Sequence, residues 1–348
     1  MFRTPSRPVS VAYLRGGRRA RLLVAIMACC VAAADRVAAD TVYAVSFTTG
    51  ELIRFDSADP AGTRTVLSGS GSFISPAALA IGPDGNLYVG EDGDGSTIAP
   101  RISRFEPATL ALSTVVTFGD FSLFPGSLAF KGTDLLVGRN PFYSNTGDIM
   151  KVINATSGPV SVNSYTTGGS LASSPGLALA ADGTLYVSDQ TYNFVSGIAS
   201  GPVKRFDAAG TYVGEVIASG SSGLSGPTGL VISGSTLYTV SLMTGTVLKT
   251  SLATDATQAF ASAGGPFETG ALARLADGNL LAGSPSGSGS IYTFATDGTL
   301  VSTFASGLGQ IGGIAVAPVP EPSTAALVAV AAACCAGWLA RRRSSCPR

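Results

Sequence analysis

Between residues 40 and 317 the chain repeats one pattern six times, and the repeat begins and ends out of phase. Each copy opens with small residues running into an aliphatic one. The copies are Ala78-Leu79-Ala80-Ile81, Ser127-Leu128-Ala129-Phe130, Gly176-Leu177-Ala178-Leu179, Gly229-Leu230-Val231-Ile232, Ala271-Leu272-Ala273-Arg274 and Gly313-Ile314-Ala315-Val316. Their Leu or Ile positions succeed one another at 49, 49, 53, 42 and 42 residues. A turn and a second apolar run follow, as in Leu87-Tyr88-Val89, Leu135-Leu136-Val137, Leu185-Tyr186-Val187, Leu237-Tyr238-Thr239-Val240 and Leu280-Leu281-Ala282. Asp84-Gly85, Asp182-Gly183 and Asp277-Gly278 between these runs suit tight hairpins. Third segments lie at 102–105, 149–152, 203–206, 246–249 and 291–294, several alternating apolar with polar residues as strands do. Fourth segments are visible at 114–116, 213–216 and 300–304. Four antiparallel strands in about 40–50 residues are the pattern of a β-propeller blade.

The phase offset sets the number of blades. Val42-Tyr43-Ala44-Val45 matches a second strand, and Leu52-Ile53-Arg54-Phe55 a third, while the last copy stops after its first strand. One blade is therefore shared, with 313–316 as its inner strand and 42–69 as its outer three. The expected fold class is all-β, a six-bladed β-propeller closed by its N- and C-terminal strands, which removes open sheet edges.

Composition narrows the chemistry. The chain has no histidine, which excludes Ser-His-Asp hydrolysis, histidine acid–base work and histidine metal sites. Its five cysteines, Cys29, Cys30, Cys334, Cys335 and Cys346, all lie outside 40–317, so that region has no disulfide and no thiol nucleophile. Residues 40–320 carry 11 basic and 20 acidic side chains, a formal charge of −9 that disfavours nucleic acid as a partner.

The two ends read as targeting segments. Arg3, Arg7, Arg15, Arg18, Arg19 and Arg21 precede an apolar stretch, 22–34, and then small residues at 37–39, the layout of a secretory signal peptide in helical form. Cleavage is expected after Ala39, with Ala34 as the alternative. Arg18-Arg19 fits twin-arginine export poorly, and Cys29 is a marginal lipidation site. At the other end, Val319-Pro320-Glu321-Pro322 leads into 18 uncharged residues, 323–340, and then Arg341-Arg342-Arg343. As a helix that stretch spans about 27 Å, close to the roughly 30 Å of a bilayer core. The arginines should stay cytoplasmic, with everything before them outside. The expected organisation is thus a signal peptide at 1–39, the propeller at 40–317 and a tail with a transmembrane helix at 318–348.

The tail closely resembles the PEP-CTERM sorting signal of Gram-negative bacteria, carried here by Val319, Pro320, Glu321 and Pro322, the apolar helix and the arginine cluster. The resemblance implies a substrate of the exosortase transpeptidase, exported by the secretion machinery. Such a chain is held in the inner membrane during sorting and then sent to the cell surface or beyond. The phrase Asp-Gly-x-Leu-Tyr-Val, with Ser188-Asp189 after one copy, resembles six-bladed propellers of the NHL and gluconolactonase-like group. Streptogramin-lyase-like members depend on a catalytic histidine, which argues against that activity here. Gluconolactonase-like enzymes place carboxylate and amide oxygens on a divalent metal.

Oxygen ligands are present. Glu91-Asp92-Gly93-Asp94 packs three carboxylates beyond a second strand, and Arg139-Asn140 and Asp189-Gln190 occupy comparable places in the next two blades. All should approach one face near the central channel. Glu91, Asp92, Asp94 and Asp189 could hold Ca²⁺, which takes several such oxygens, or could simply shape solvated loops. Arg139, Asn140 and Gln190 are candidate ligand-binding residues. No catalytic residue is assigned. The expected function is a non-enzymatic binding or scaffold module of the envelope or extracellular matrix, its partner an extracellular polysaccharide or protein. The alternative is a metal-dependent lactonase or hydrolase.

Overall fold

A computed structural model of the chain describes residues 39–141, 146–193, 195–287 and 289–317. The expected signal peptide, sorting motif, transmembrane helix and arginine cluster lie outside the described residues. Among the described residues no helix is long and apolar enough to cross a membrane.

Six four-stranded antiparallel sheets follow one another along the chain. Strands β1 (Thr41–Ser46), β2 (Leu52–Asp56) and β3 (Thr65–Ser68) pair with the last strand, β26 (Ile311–Ala317), to form blade 1. Blade 2 comprises β4 (Pro76–Ile81), β5 (Leu87–Glu91), β6 (Arg101–Glu106) and β7 (Ala111–Thr117). Blade 3 comprises β8 (Pro125–Lys131), β9 (Asp134–Arg139), β10 (Ile149–Ile153) and β11 (Ser161–Ser164). Blade 4 comprises β12 (Gly176–Leu179), β13 (Leu185–Ser188), β16 (Val203–Phe206) and β17 (Tyr212–Ile217). A separate hairpin, β14 (Thr191–Asn193) with β15 (Ile198–Ser200), is inserted between its second and third strands. Blade 5 runs from β18 (Pro227–Ser233) through β19 (Thr236–Ser241) and β20 (Thr246–Ser251) to β21 (Thr257–Ser262). Blade 6 runs from β22 (Ala271–Arg274) through β23 (Leu280–Gly283) and β24 (Ile291–Phe294) to β25 (Leu300–Ala305). A four-residue helix, α1 (Pro60–Thr63), and one 3₁₀ turn are the only helical elements among the described residues.

The ring closes where the sequence offset requires it. Val42 pairs with Val316, Tyr43 with Ala315 and Ala44 with Ile314. The Ala276 amide, in a turn of blade 6, donates to Asp40 Oδ2 at 2.6 Å and ties that blade to the start of the domain.

The core is six wedges between blades, which explains the near-continuous hydrophobicity of the second strands. Leu87, Tyr88 and Val89 are all 0 % exposed. Leu87 and Val89 pack toward blade 1 with Val45, Leu52 and Phe73. Tyr88 points the other way, toward Leu135, Val137 and Val152 of blade 3. Side chains on a strand alternate between its two faces, so a strand covered by a neighbour on each side has no polar face to show. The recurring tyrosines at 43, 88, 186 and 238 fill these wedges as inter-blade packing.

One local expectation changes. The Asp-Gly turns are five-residue loops. In the first, the Gly82 amide donates to the Asn86 carbonyl at 2.8 Å and the Gly85 amide to Gly82 at 2.9 Å, with Gly85 at φ 76°. Asp84 Oδ1 accepts from the Asn86 amide at 3.3 Å, so the aspartate shapes the loop. The recurrent cations of the third strands mostly pair within their own blade, Arg104 with Asp84 and Lys151 with Asp134. Arg205 instead reaches Asp255 of blade 5.

The small residues opening each inner strand permit close approach around the axis. A Cβ on Gly176 would lie 2.0 Å from the Thr228 carbonyl oxygen of the next blade. Gly176→Ala is therefore expected to destabilise the fold by about 1–3 kcal/mol in urea denaturation. Gly69→Ala, whose Cβ would meet open space, should be neutral.

Candidate functional site

The second strands all end at the same mouth of the central channel, and the first residue beyond each locking position projects there. Backbone hydrogen bonds define that position. The amides of Phe47, Asp92, Asn140, Gln190 and Leu242 donate to the carbonyls of Gln310, Ser75, Phe124, Ser173 and Gly226, at or just before the start of each inner strand. Pro285 stands at the corresponding place in blade 6. All six residues line one cavity of about 660 Å³, within the ~300–1,000 Å³ usual for ligand sites. The inner strands form its wall, and the lining ends at Leu79, Leu128, Leu177, Leu230, Leu272 and Ile314. Each of those also packs into the wedge before its own blade.

The mouth is chemically divided. Blades 2, 3 and 4 contribute Asp92, Asn140 and Gln190. Blades 5, 6 and 1 contribute Leu242, Pro285 and Phe47, joined by Phe267, with Gln310 and Thr228 as the polar members of this mostly apolar arc. Tyr192, on the inserted β14–β15 hairpin, stands at the polar arc. No Lys or Arg lines the cavity among the described residues.

One residue earlier in blades 2 to 6 sits a lock; in blade 1 the Ser46 hydroxyl instead accepts from the Thr49 amide of its own hairpin. Glu91 is fully buried; its carboxylate accepts from Arg101 Nε at 2.9 Å and Nη2 at 2.8 Å, from the Ile74 amide at 2.7 Å and from the Ser103 hydroxyl. Asp189 pairs with Lys204 at 2.5 Å and accepts from the Ala172 amide at 2.7 Å. Ser241 accepts from the Ser225 amide at 2.9 Å, and Ser284 donates to the Phe267 carbonyl at 3.2 Å. Each lock staples the approach to the inner strand onto the second strand. Arg139 turns toward Asp120 Oδ2 at 2.5 Å and Ser122.

The expected carboxylate quartet is therefore not brought together. Glu91 and Asp189 are staples. Asp94 is exposed and accepts from the Thr97 hydroxyl and from the amides of Ser96, Thr97 and Ile98 at 2.7–2.9 Å, which together hold its carboxyl well below the usual range and shape its own loop. Among the described residues no three His, Cys, Asp or Glu side chains cluster as a metal site. The mouth itself offers one carboxylate and three amides, Asn140, Gln190 and Gln310, and the Asn140 oxygen already accepts from the Ser173 hydroxyl. That donor set does not fit Ca²⁺, which takes 6–8 oxygens.

Of the expected ligand-binding residues, Asn140 and Gln190 reach the cavity and Arg139 does not. Asp92 lines the same cavity. It is 6 % exposed, its Oδ1 has no hydrogen-bond partner among the described residues, and burial pushes its carboxyl up to about 7. The apolar arc carried no motif. Its only trace in the sequence is position, one residue beyond each locking position. The inserted hairpin had a trace too, since blade 4 has the longest repeat spacing, 53 residues.

Residues 318–343 match the PEP-CTERM protein-sorting motif. The chain thus carries this motif at its C-terminal end, which implies an exported protein processed by an exosortase. No curated protein matches the sequence. Solved structures match the fold. A chain of a nidogen/laminin complex aligns with TM-score 0.64 and 15 % identity over 81 % of this chain and 99 % of that one. A provisionally assigned 6-phosphogluconolactonase of Bacteroides uniformis ATCC 8492 aligns with TM-score 0.52 and 19 % identity over 77 % and 82 %. The resemblance to NHL and lactonase-like propellers thus holds for the fold, and identity this low carries no chemistry with it.

Burial of Asp92 sets a pH dependence of stability. The folded chain keeps its proton up to about 7, whereas an unfolded carboxyl loses it near ~4. The contribution of Asp92 to stability is therefore full below about pH 4 and is lost progressively until about pH 7. Asp92→Asn is expected to match the parent at pH 3.5 and to exceed it by roughly 4 kcal/mol at pH 8 in urea titrations.

Proposed function

We propose that the chain is an exported, non-enzymatic binding propeller of the cell envelope or extracellular matrix, which holds an extracellular polysaccharide or protein at the channel mouth. Delivery follows the tail. A signal peptide at 1–39 starts export, the 323–340 helix and Arg341–Arg343 hold the chain in the inner membrane, and the exosortase acts at Val319–Pro322. The propeller at 40–317 is then released or passed to the surface.

The observation that carries the binding reading is the divided mouth. A cavity of this size, polar on one arc and apolar on the other, can orient an organic ligand by hydrogen bonds while covering its apolar face. The same mouth is poor in catalytic means. It has no histidine, no cation, no cluster of metal ligands among the described residues and a single carboxyl. A phosphorylated lactone would meet no positive charge there.

Titration of the exported chain with extracellular polysaccharide purified from the producing cells tests this reading. Leu242→Ser combined with Gln190→Ala should weaken binding at least about tenfold without lowering the melting temperature. Gluconolactone and 6-phosphogluconolactone should hydrolyse at the uncatalysed rate with Ca²⁺, Mn²⁺ or Zn²⁺ supplied. Metal-dependent turnover that disappears in Asp92→Asn would replace the binding module with a lactonase.

A further inference from the structure

Asp92 is the one carboxyl at the mouth that carries an oxygen without a hydrogen-bond partner among the described residues. The charged groups on the elements around it are committed elsewhere. Glu91 is held by Arg101, Asp94 by its own loop, Arg139 by Asp120, and Asp189 by Lys204. Asp148, behind Arg139, is a second carboxyl raised by burial, with that arginine acting against the rise. Tyr192 is the other titratable group in the lining. Desolvation alone acts on Asp92, and its proton stays on at mildly acid pH.

A neutral carboxyl both donates and accepts, whereas a carboxylate only accepts. Beside Asn140 and Gln190, a neutral Asp92 completes an arc of three groups that each donate and accept. Such an arc matches hydroxyls, which also do both. Across the cavity, Leu242, Pro285, Phe47 and Phe267 offer an apolar surface. A molecule suited to both arcs has hydroxyls along one edge, an apolar face on the other side, and no charge. An acidic group would meet a buried carboxyl with no cation to offset it.

We propose that the channel mouth binds the terminal pyranose of an uncharged sugar chain, with Asp92 donating to a sugar hydroxyl and excluding acidic sugars. This rests on the mouth being the binding site.

Calorimetric titration of the exported chain at pH 5.5, 7 and 8.5 tests it, with neutral glucan, mannan and galactan oligosaccharides against oligouronates and chitosan oligomers. At least one neutral series should bind and weaken by about tenfold from pH 5.5 to 8.5, while oligouronates do not bind. Asp92→Asn, which keeps a donor at every pH, should retain binding and flatten that slope; Asp92→Leu should lose at least about tenfold at pH 5.5. Thermal melts confirm that both variants fold. Binding of oligouronates as tight as neutral chains, affinity that rises with pH as for cationic chitosan, or a slope that persists in Asp92→Asn would each overturn the assignment. If no sugar binds while a protein ligand is lost in the Leu242→Ser, Gln190→Ala variant, the sugar proposal fails and the binding reading stands. If mouth variants change binding of no ligand, both fail.

Discussion

A ring of sheets gains its stability blade against blade, so the last blade must pack on the first. Here that need is met by hydrogen bonds between strands at opposite ends of the domain, with Thr41 opposite Ala317 and Val45 opposite Gly313. Without this pairing the blade 1 sheet would lack its innermost strand. The wedge of Val42, Ile53, Phe55, Leu281 and Ile314 would open to water as well. Closing so long a loop costs entropy that grows only slowly with length. The buried surface on both sides of the blade offsets it. Every other feature, including the alignment of six second strands at one mouth, presupposes the closed ring.

Much of this was written in the chain at the level of strands. The second strands are apolar without alternation because each is covered on both faces, and Leu87-Tyr88-Val89 could be read that way directly. The phase offset named the shared blade because a strand without a neighbour in sequence must find one in space. The turns were legible as turns but not in their form. Asp84-Gly85 indicates a glycine at positive φ, and both a two-residue and a five-residue loop supply one.

The site was legible in place more than in role. Glu91, Asp92 and Asp94 stand together in sequence, yet neighbours on a strand end point in different directions. Glu91 enters the blade to meet Arg101, Asp92 faces the axis, and Asp94 closes a loop. A cluster of carboxylates in sequence is therefore no cluster in space when the backbone is extended. The apolar arc left less trace still. Leu242, Pro285 and Phe47 share no residue type; the backbone bonds of Phe47 and Leu242 to the approach of their inner strands, and the place of Pro285 directly after Ser284, show them to be equivalent.

The direction of β26 has a topological outcome. Its first residues, Ile311 and Gly312, line the mouth, and the strand then runs about 20 Å away from it to Ala317. Ala317, the last described residue, therefore stands on the side of the disc opposite the mouth.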